Sequence, residues 1–184
     1  FLFKYQNNFL DGRLTVTGAF GGNNMVTTYR RNDVELAELD IEGIYNTSNV
    51  PSGIYPDPYT YRSKKVVNSL YGFATIGWQD KYFLDITGRN DWSSTLAKDN
   101  WSYFYPSISA SILLDKVFDF HTNIPAITYA KLRLSWANVG NDTSPYQLDQ
   151  YYSASSISGG YTLPSTIMNP MIKPENVESW EVGL

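Results

Sequence analysis

The chain has 184 residues, enough for one sizeable domain, and a net charge of −4 with never more than two adjacent Lys or Arg, a balance that argues against nucleic acid as a partner. It has no cysteine, which excludes disulfide frameworks and thiolate metal sites, and a single histidine, His121, which excludes a histidine-rich metal centre. No uninterrupted apolar run approaches the roughly 20 residues of a membrane helix, so any membrane crossing is made by strands.

In chain order, the first strand is expected over residues 13 to about 29, with Leu14, Val16, Gly18 and Phe20 on one face and a break or turn at Gly21-Gly22-Asn23-Asn24. Residues 32–62 then carry Asp33, Glu35, Glu38, Asp40 and Glu42, followed by Pro51, Pro56 and Pro58 among Tyr45, Tyr55, Tyr59 and Tyr61. This stretch of about 30 residues greatly exceeds the usual 2 to 6 of a connection and reads as a long surface loop. Strands two (66–78) and three (82–92) are separated only by Gln79-Asp80-Lys81, which predicts a tight hairpin. In strand three, Tyr82, Leu84 and Ile86 share one face and Asp85, Thr87, Arg89 and Asp91 the other, because strand side chains alternate with a period of two.

A longer loop, 93–102, leads into strand four (103–114), where Phe104, Ile108, Ala110 and Ile112 oppose Tyr105, Ser107, Ser109 and Ser111. Residues 115–125, which include His121, make a connection on the short-turn side. Strand five (128–138) sets Ala130, Leu132, Leu134 and Trp136 against Lys131, Arg133, Ser135 and Ala137. A long loop, 139–173, precedes strand six, which begins near Asn176 with Trp180, Val182 and Leu184 on one face. Leu184 falls inside that strand and the chain starts without Met, so the segment is expected to be part of a longer polypeptide.

About six strands of about 10 residues, one face apolar and one polar, with short and long connections alternating, predict an antiparallel transmembrane β-barrel segment. Trp78, Tyr82 and Phe83 near the short turn, and Trp92, Trp101, Tyr103, Phe104 and Tyr105 at the opposite end, fit two aromatic girdles. The alternatives are a secreted β-sandwich that binds carbohydrate, whose core would take the same apolar residues, and a small complete barrel with a structural or adhesive role.

Several segments resemble the SusC/RagA family of TonB-linked outer-membrane transporters. They are Tyr71-Gly72-Phe73, Gly77-Trp78-Gln79-Asp80-Lys81-Tyr82, Asp85-Ile86-Thr87-Gly88-Arg89-Asn90-Asp91-Trp92-Ser93-Ser94 and Tyr105-Pro106-Ser107-Ile108-Ser109. Further on come Lys131-Leu132-Arg133-Leu134-Ser135-Trp136, Val139-Gly140-Asn141, Asn169-Pro170, Lys173-Pro174-Glu175 and Glu178-Ser179-Trp180-Glu181-Val182-Gly183. Order and spacing agree over most of residues 61–184, whereas residues 1–61 match only as a generic strand and variable loop. The resemblance implies a 22-stranded barrel with an internal plug in the outer membrane of a Bacteroidota-type Gram-negative cell. It also implies a SusD-like surface lipoprotein as a lid, and import of glycan oligomers or peptides with energy delivered by TonB. The plug, the TonB box and the remaining strands are not among these residues, and no cofactor is implied.

In such a barrel Asp85, Arg89, Lys131 and Arg133 are expected to face the lumen, since Arg or Lys on the lipid face near the midplane costs about 2 to 4 kcal/mol. They would line the passage, contact the plug, or pair within the wall. Loop aromatics suited to stacking on sugar rings or packing against peptide side chains are Tyr55, Tyr59 and Tyr61, then Trp101, then Tyr146, Tyr151, Tyr152 and Tyr161; packing between loops or against the lid competes with that role. Catalysis is not expected. His121 is the one residue available to a Ser-His-Asp arrangement, and Glu178 and Glu181 fall on opposite faces of one strand rather than forming a glycosidase pair. Asn138, Asn141 and Asp142 carry oxygen donors, but their spacing suits a turn better than calcium. The acceptor patterns at Asn46, Asn100 and Asn141 are incidental in a bacterial outer-membrane protein.

Overall fold

The structure, a computed structural model, describes residues 1–120, 126–154 and 160–184. Its elements in chain order are β1 (Leu2–Phe9), β2 (Leu14–Glu35), β3 (Asp57–Trp78), β4 (Tyr82–Ser93), β5 (Ser102–Leu113), α1 (Leu114–Val117), β6 (Lys131–Asn141), β7 (Ser153–Ala154), β8 (Tyr161–Thr162) and β9 (Glu175–Gly183). They divide into two compact units, one of residues 1–25 and 66–184 and one of residues 26–65, with β2 and β3 contributing to both.

In the first unit a single sheet runs in the order β1-β2-β3-β4-β5-β6-β9, so spatial neighbours are sequence neighbours apart from the small β7–β8 pair. Register assembles the alternating residues into rows. Ile76, Leu84, Ala110, Leu134 and Val182 lie side by side across five strands, and Ala74, Ile86, Ile108, Trp136 and Trp180 form the adjacent apolar row. On the reverse face Thr75, Asp85, Ser109, Ser135 and Glu181 align, beside Phe73, Thr87, Ser107, Ala137 and Ser179.

Burial runs opposite to that of a water-soluble domain. Among the described residues the buried hydrophobic side chains are Val67 and Leu96, while Ser69, Asp91, Ser93, Thr95 and Ser111 are buried polar ones. Ile86, Ile108 and Leu134 remain 43%, 42% and 49% exposed. Removing one such side chain from water is worth about 1.5–3 kcal/mol, so a continuous face of them requires hydrocarbon as its solvent. The sandwich expectation fails on this point: Leu84, Ile86, Ile108, Ile112, Leu132 and Leu134 share one face of a single layer, and the other sheet among the described residues consists of two two-residue strands. The small closed barrel fails too, since β1 and β9 are separate edges of the sheet.

The sheet contains seven strands rather than about six, because residues 2–9 form β1. Its pattern was legible: Phe3, Tyr5, Asn7 and Phe9 pair with Phe20, Gly18, Val16 and Leu14, opposite Lys4, Gln6 and Asn8. The expected break at Gly21-Gly22 is absent, and β2 passes straight through. These glycines permit close approach: a Cβ on Gly21 would sit 2.8 Å from the Phe1 carbonyl oxygen, and one on Gly22 would sit 2.9 Å from both Leu70 Cδ2 and the Ser69 carbonyl oxygen. The real turn precedes β2. Leu10, Asp11 and Gly12 have φ of 53°, 54° and 84°, and Gln79 and Asp80 repeat this left-handed geometry at 54° and 53°. Gln79 N–H donates to the Arg13 carbonyl at 2.6 Å, and Lys116 Nζ donates to the Asp80 carbonyl at 3.2 Å, so the three short-side connections are tied together.

Three girdle assignments need correction. Trp78, Tyr82, Trp92 and Phe104 share the parity of the apolar rows, but Phe83 pairs with Gly77 and Ser111, while Tyr103 and Tyr105 pair with Asp91 and Arg89, on the polar face. In the second unit, β2 and β3 run well into the expected loop, leaving 36–56 as the connection and placing Tyr59 and Tyr61 on a strand. Asn49 organises that connection by donating from Nδ2 to the Ile41 and Ile44 carbonyls at 2.8 and 2.7 Å.

Arginine at Ile108, in the central apolar row, is expected to destabilise the full-length receptor by about 2–4 kcal/mol, whereas Ser109→Arg, beside Asp85, is expected to change stability by less than about 1 kcal/mol. Denaturant titration of folded receptor in lipid vesicles measures both.

Candidate functional site

The polar face is a connected network centred on Asp91, which is only 5% exposed. Strand register brings Ser69 and Tyr103 alongside it, and Tyr71 and Tyr105 alongside Arg89. Arg89 Nε donates to Asp91 Oδ1 at 2.8 Å, and Arg89 Nη2 donates to Ser69 Oγ at 2.9 Å. The guanidinium lies 5.7 Å from the centre of the Tyr71 ring, and the Tyr105 hydroxyl donates to the second Asp91 oxygen. The Tyr103 ring stacks on Tyr105 with centroids 5.8 Å apart. A carboxylate this buried survives because both oxygens accept hydrogen bonds and a guanidinium neutralises it.

Of the four charged residues expected on the polar face, register places all four there. Arg89 is held as described, Asp85 accepts from Thr75 Oγ1 at 2.6 Å, and Arg133 Nη2 meets Glu181 Oε1 at 2.6 Å. Lys131 opens β6 opposite Leu113. Three of the four are therefore members of pairs within the wall that bridge neighbouring strands. The exposed Arg133–Glu181 pair contributes little stability, whereas hydrogen bonds to the buried Asp91 carboxylate are worth about 1.5–3 kcal/mol each.

A second polar cluster lies at the root of the loops. Thr95 Oγ1 and the fully buried Ser93 Oγ are 2.9 Å apart, and Ser93 Oγ donates to Asp142 Oδ2. Asn100 Nδ2 donates to the Met171 and Ile172 carbonyls at 3.3 and 3.4 Å. Both ends of the 142–174 connection are thus fastened to residues 93–100. Sequence reasoning missed this clamp, although Ser93 lies in a quoted segment. A serine next to a strand end carries no pattern that announces a partner 49 residues away. Asp142, considered above as an oxygen donor for a cation, is engaged by Ser93 instead.

The eight loop aromatics are dispersed. Tyr55 lies in the 36–56 connection at 86% exposure, and Tyr59 and Tyr61 lie on β3, where the Tyr61 ring sits 6.0 Å from Tyr29. Tyr59 lines an open cavity of about 720 Å³ with Arg31, Asp33, Val34, Glu35 and Asp57. Trp101 precedes β5, and Tyr146, Tyr151 and Tyr152 belong to the third long connection, with Tyr161 on β8. Asp149 pushes the Tyr151 hydroxyl pKa up by its charge, and accepts its hydrogen bond at 3.3 Å. Glu178 accepts from the Trp136 indole at 2.8 Å, while Glu181 pairs with Arg133 on the other face, so they do not form a carboxylate pair. His121 lies outside the described residues.

Asp91→Ala is expected to destabilise by about 2–4 kcal/mol, because it strands Arg89 and removes two hydrogen bonds at once. Arg89→Ala combined with Asp91→Ala should cost clearly less than the sum of the single losses in a double-mutant cycle read by denaturant unfolding. Separately, Asp142→Ala should leave unfolding almost unchanged while making residues 143–170 faster to cleave in limited proteolysis.

Comparison with known proteins agrees with this geometry. The family described as "TonB dependent receptor-like, beta-barrel" matches residues 2–184. A curated relative, TonB-dependent receptor P26 of Formosa agariphila, is 35% identical over 82 residues, covering 44% of this chain and 8% of the relative. Among solved structures, that of the RagAB peptide transporter is similar with a TM-score of 0.77 at 16% identity, over 97% of this chain and 20% of that one. The RagAB peptide importer in its "closed-closed" state gives 0.74 at 15% identity, again over 97% and 20%. The chain therefore spans about a fifth of those structures and less than a tenth of that relative. An all-antiparallel sheet, its solvent preference and a family match over nearly its whole length agree: the chain belongs to the TonB-dependent receptor family and forms part of its outer-membrane β-barrel.

Proposed function

We propose that this chain is barrel wall and outer loops of an importer that takes up nutrient oligomers, peptides or glycan oligosaccharides, across the outer membrane of a Bacteroidota-type cell. The observation that carries the reading is the exposed apolar face backed by a hydrogen-bonded polar one, on strands whose connections alternate between short and long. In this reading the polar face, with Asp85, Arg89, Lys131 and Arg133, looks onto the lumen of a 22-stranded barrel. The Arg89–Asp91–Tyr105 network stiffens the wall there. Residues 10–13, 79–81, 114–120 and 126–130 then lie on the periplasmic side, and 36–56, 94–101, 142–154 and 160–174 on the cell surface.

Substrate contact falls to the surface aromatics Tyr55, Tyr59, Tyr61, Trp101, Tyr146, Tyr151, Tyr152 and Tyr161, whose exposure leaves their rings free for stacking or apolar contact. A SusD-like surface lipoprotein covers these loops, and TonB supplies energy through segments of the receptor outside these residues. Support for the lipoprotein and for oligomeric substrates comes from the SusC/RagA-like segments and from the peptide-importing neighbours of similar fold. A transporter needs no catalytic group, and none of the residues above is assigned one.

The test is uptake by cells carrying the full-length receptor. Replacing the four aromatics of the third surface loop by Ala should lower uptake at least tenfold while leaving outer-membrane assembly, read by cell fractionation and heat-modifiable mobility, unchanged. Wild-type uptake by a correctly assembled variant lacking residues 143–170 would contradict the loop assignment.

A further inference from the structure

The cavity between β2 and β3 in the second unit is charged out of balance. Among its lining residues Arg31 is paired with Asp33. Glu35, the last residue of β2, and Asp57, the first of β3, form no salt bridge among the described residues. Both are exposed, and both line the same cavity of about 720 Å³, a size within the roughly 300–1,000 Å³ of small-ligand sites. The surrounding chain offers no relief: residues 32–61 carry six carboxylates and no Lys or Arg.

Two unpartnered carboxylates in one cavity repel each other, and the field focused there favours a positive occupant over a neutral one. The spread of the groups says what form it takes. Among the described residues no three acidic side chains converge closely enough to hold a metal ion. Arg31, Asp33 and Glu35 instead follow at alternate positions of β2, about 7 Å apart along one face. Alternate side chains of an extended peptide recur at that same interval, so a peptide lying along the strand presents its cations in step with the carboxylates. Tyr59, 55% exposed in the same cavity, offers a ring face to an ammonium or guanidinium group and an apolar surface to its aliphatic stem. A neutral glycan could use the ring but would leave both carboxylates unneutralised.

We infer that Glu35 and Asp57, with Tyr59, form a binding site for the lysine or arginine side chains of an extended peptide. The inference rests on the import reading above and narrows its substrate from oligomers in general to basic peptides. Arg31 is then an internal competitor that occupies Asp33 and leaves two carboxylates for the ligand. Exposed ion pairs are individually weak, so such a site captures a peptide and can release it.

The test measures binding to purified full-length receptor in nanodiscs by fluorescence anisotropy. The probes are a labelled decapeptide of alternating lysine and alanine and the same peptide with every lysine acetylated. The lysine peptide should bind at least tenfold more tightly, and added salt should erode that preference. Glu35→Gln and Asp57→Asn should each weaken its binding by about two- to fivefold, and together at least tenfold, while the acetylated peptide is unaffected. Glu38→Gln, outside the cavity, should match wild type. Arg31→Gln, which frees Asp33, should instead tighten binding by about two- to fivefold, a gain that misfolding does not produce. Assembly of each variant is read by heat-modifiable mobility, and the single variants serve if the double variant fails to assemble. Equal binding of the two peptides, or an unchanged preference in the assembled carboxylate variants, overturns the site. A glucosamine oligomer that binds as tightly as the lysine peptide, with the same loss in the variants, places the cation on a sugar and overturns the peptide. Uptake of the lysine peptide by cells carrying the receptor is scored separately: carboxylate-dependent binding without uptake refutes the import reading and leaves the site standing.

Discussion

The constraint on which everything else depends is that a strand immersed in hydrocarbon must satisfy its backbone through its neighbours while offering lipid only every second side chain. Antiparallel pairing meets the first demand, and the row of Ile76, Leu84, Ala110, Leu134 and Val182 meets the second. A one-residue slip of β5 would turn Ser107, Ser109 and Ser111 toward lipid and Ile108 and Ile112 toward the polar face. Register is therefore the energetic centre of the wall. The cross-strand polar contacts Thr75–Asp85, Thr87–Ser107 and Arg133–Glu181 all act to hold it.

The same constraint explains where the buried interactions sit. With lipid taking the apolar face, hydrophobic side chains have no interior to fill, and close packing moves to the polar side. There the Arg89–Asp91 pair, flanked by Tyr71 and Tyr105, serves as the core. Glycines act in the same economy of space: a Cβ on Gly88 would reach 3.0 Å from the Phe104 ring, and one on Gly183 would sit 2.5 Å from Arg133 Nε. Loop anchorage follows the pattern as well, with Ser93, at the end of β4, reaching Asp142, the first residue after β6.

How much of this was legible depends on whether one face of a strand is buried differently from the other. Strands β4, β5 and β6 were readable because Leu84, Ile108 and Leu134 alternate with Asp85, Ser109 and Ser135. The outer halves of β2 and β3 were not: both faces there are largely exposed, so Arg30 to Glu35 and Asp57 to Tyr61 carry no two-sided signal and read as loop. β1 carried the signal in Phe3, Tyr5 and Phe9 but was passed over, and Gly21-Gly22 suggested a turn where the glycines serve close strand approach. Parity alone set Asp85, Arg89, Lys131 and Arg133 opposite the apolar rows, and the register of β3 to β6 has them on that polar face. The partners of Asp91 and Ser93 were not legible, because they depend on which strands become neighbours and in what register.

The central claim is that alternate residues of one strand meet lipid and water, and accessibility scanning along β5 tests it most directly. Single cysteines at residues 107–112 of the full-length receptor, reconstituted in vesicles, would carry a fluorophore exposed in turn to a lipid-dissolved and a water-soluble quencher. The account requires strong lipid quenching at 108, 110 and 112 and strong aqueous quenching at 107, 109 and 111. Uniform quenching along the strand, or the reverse alternation, contradicts it.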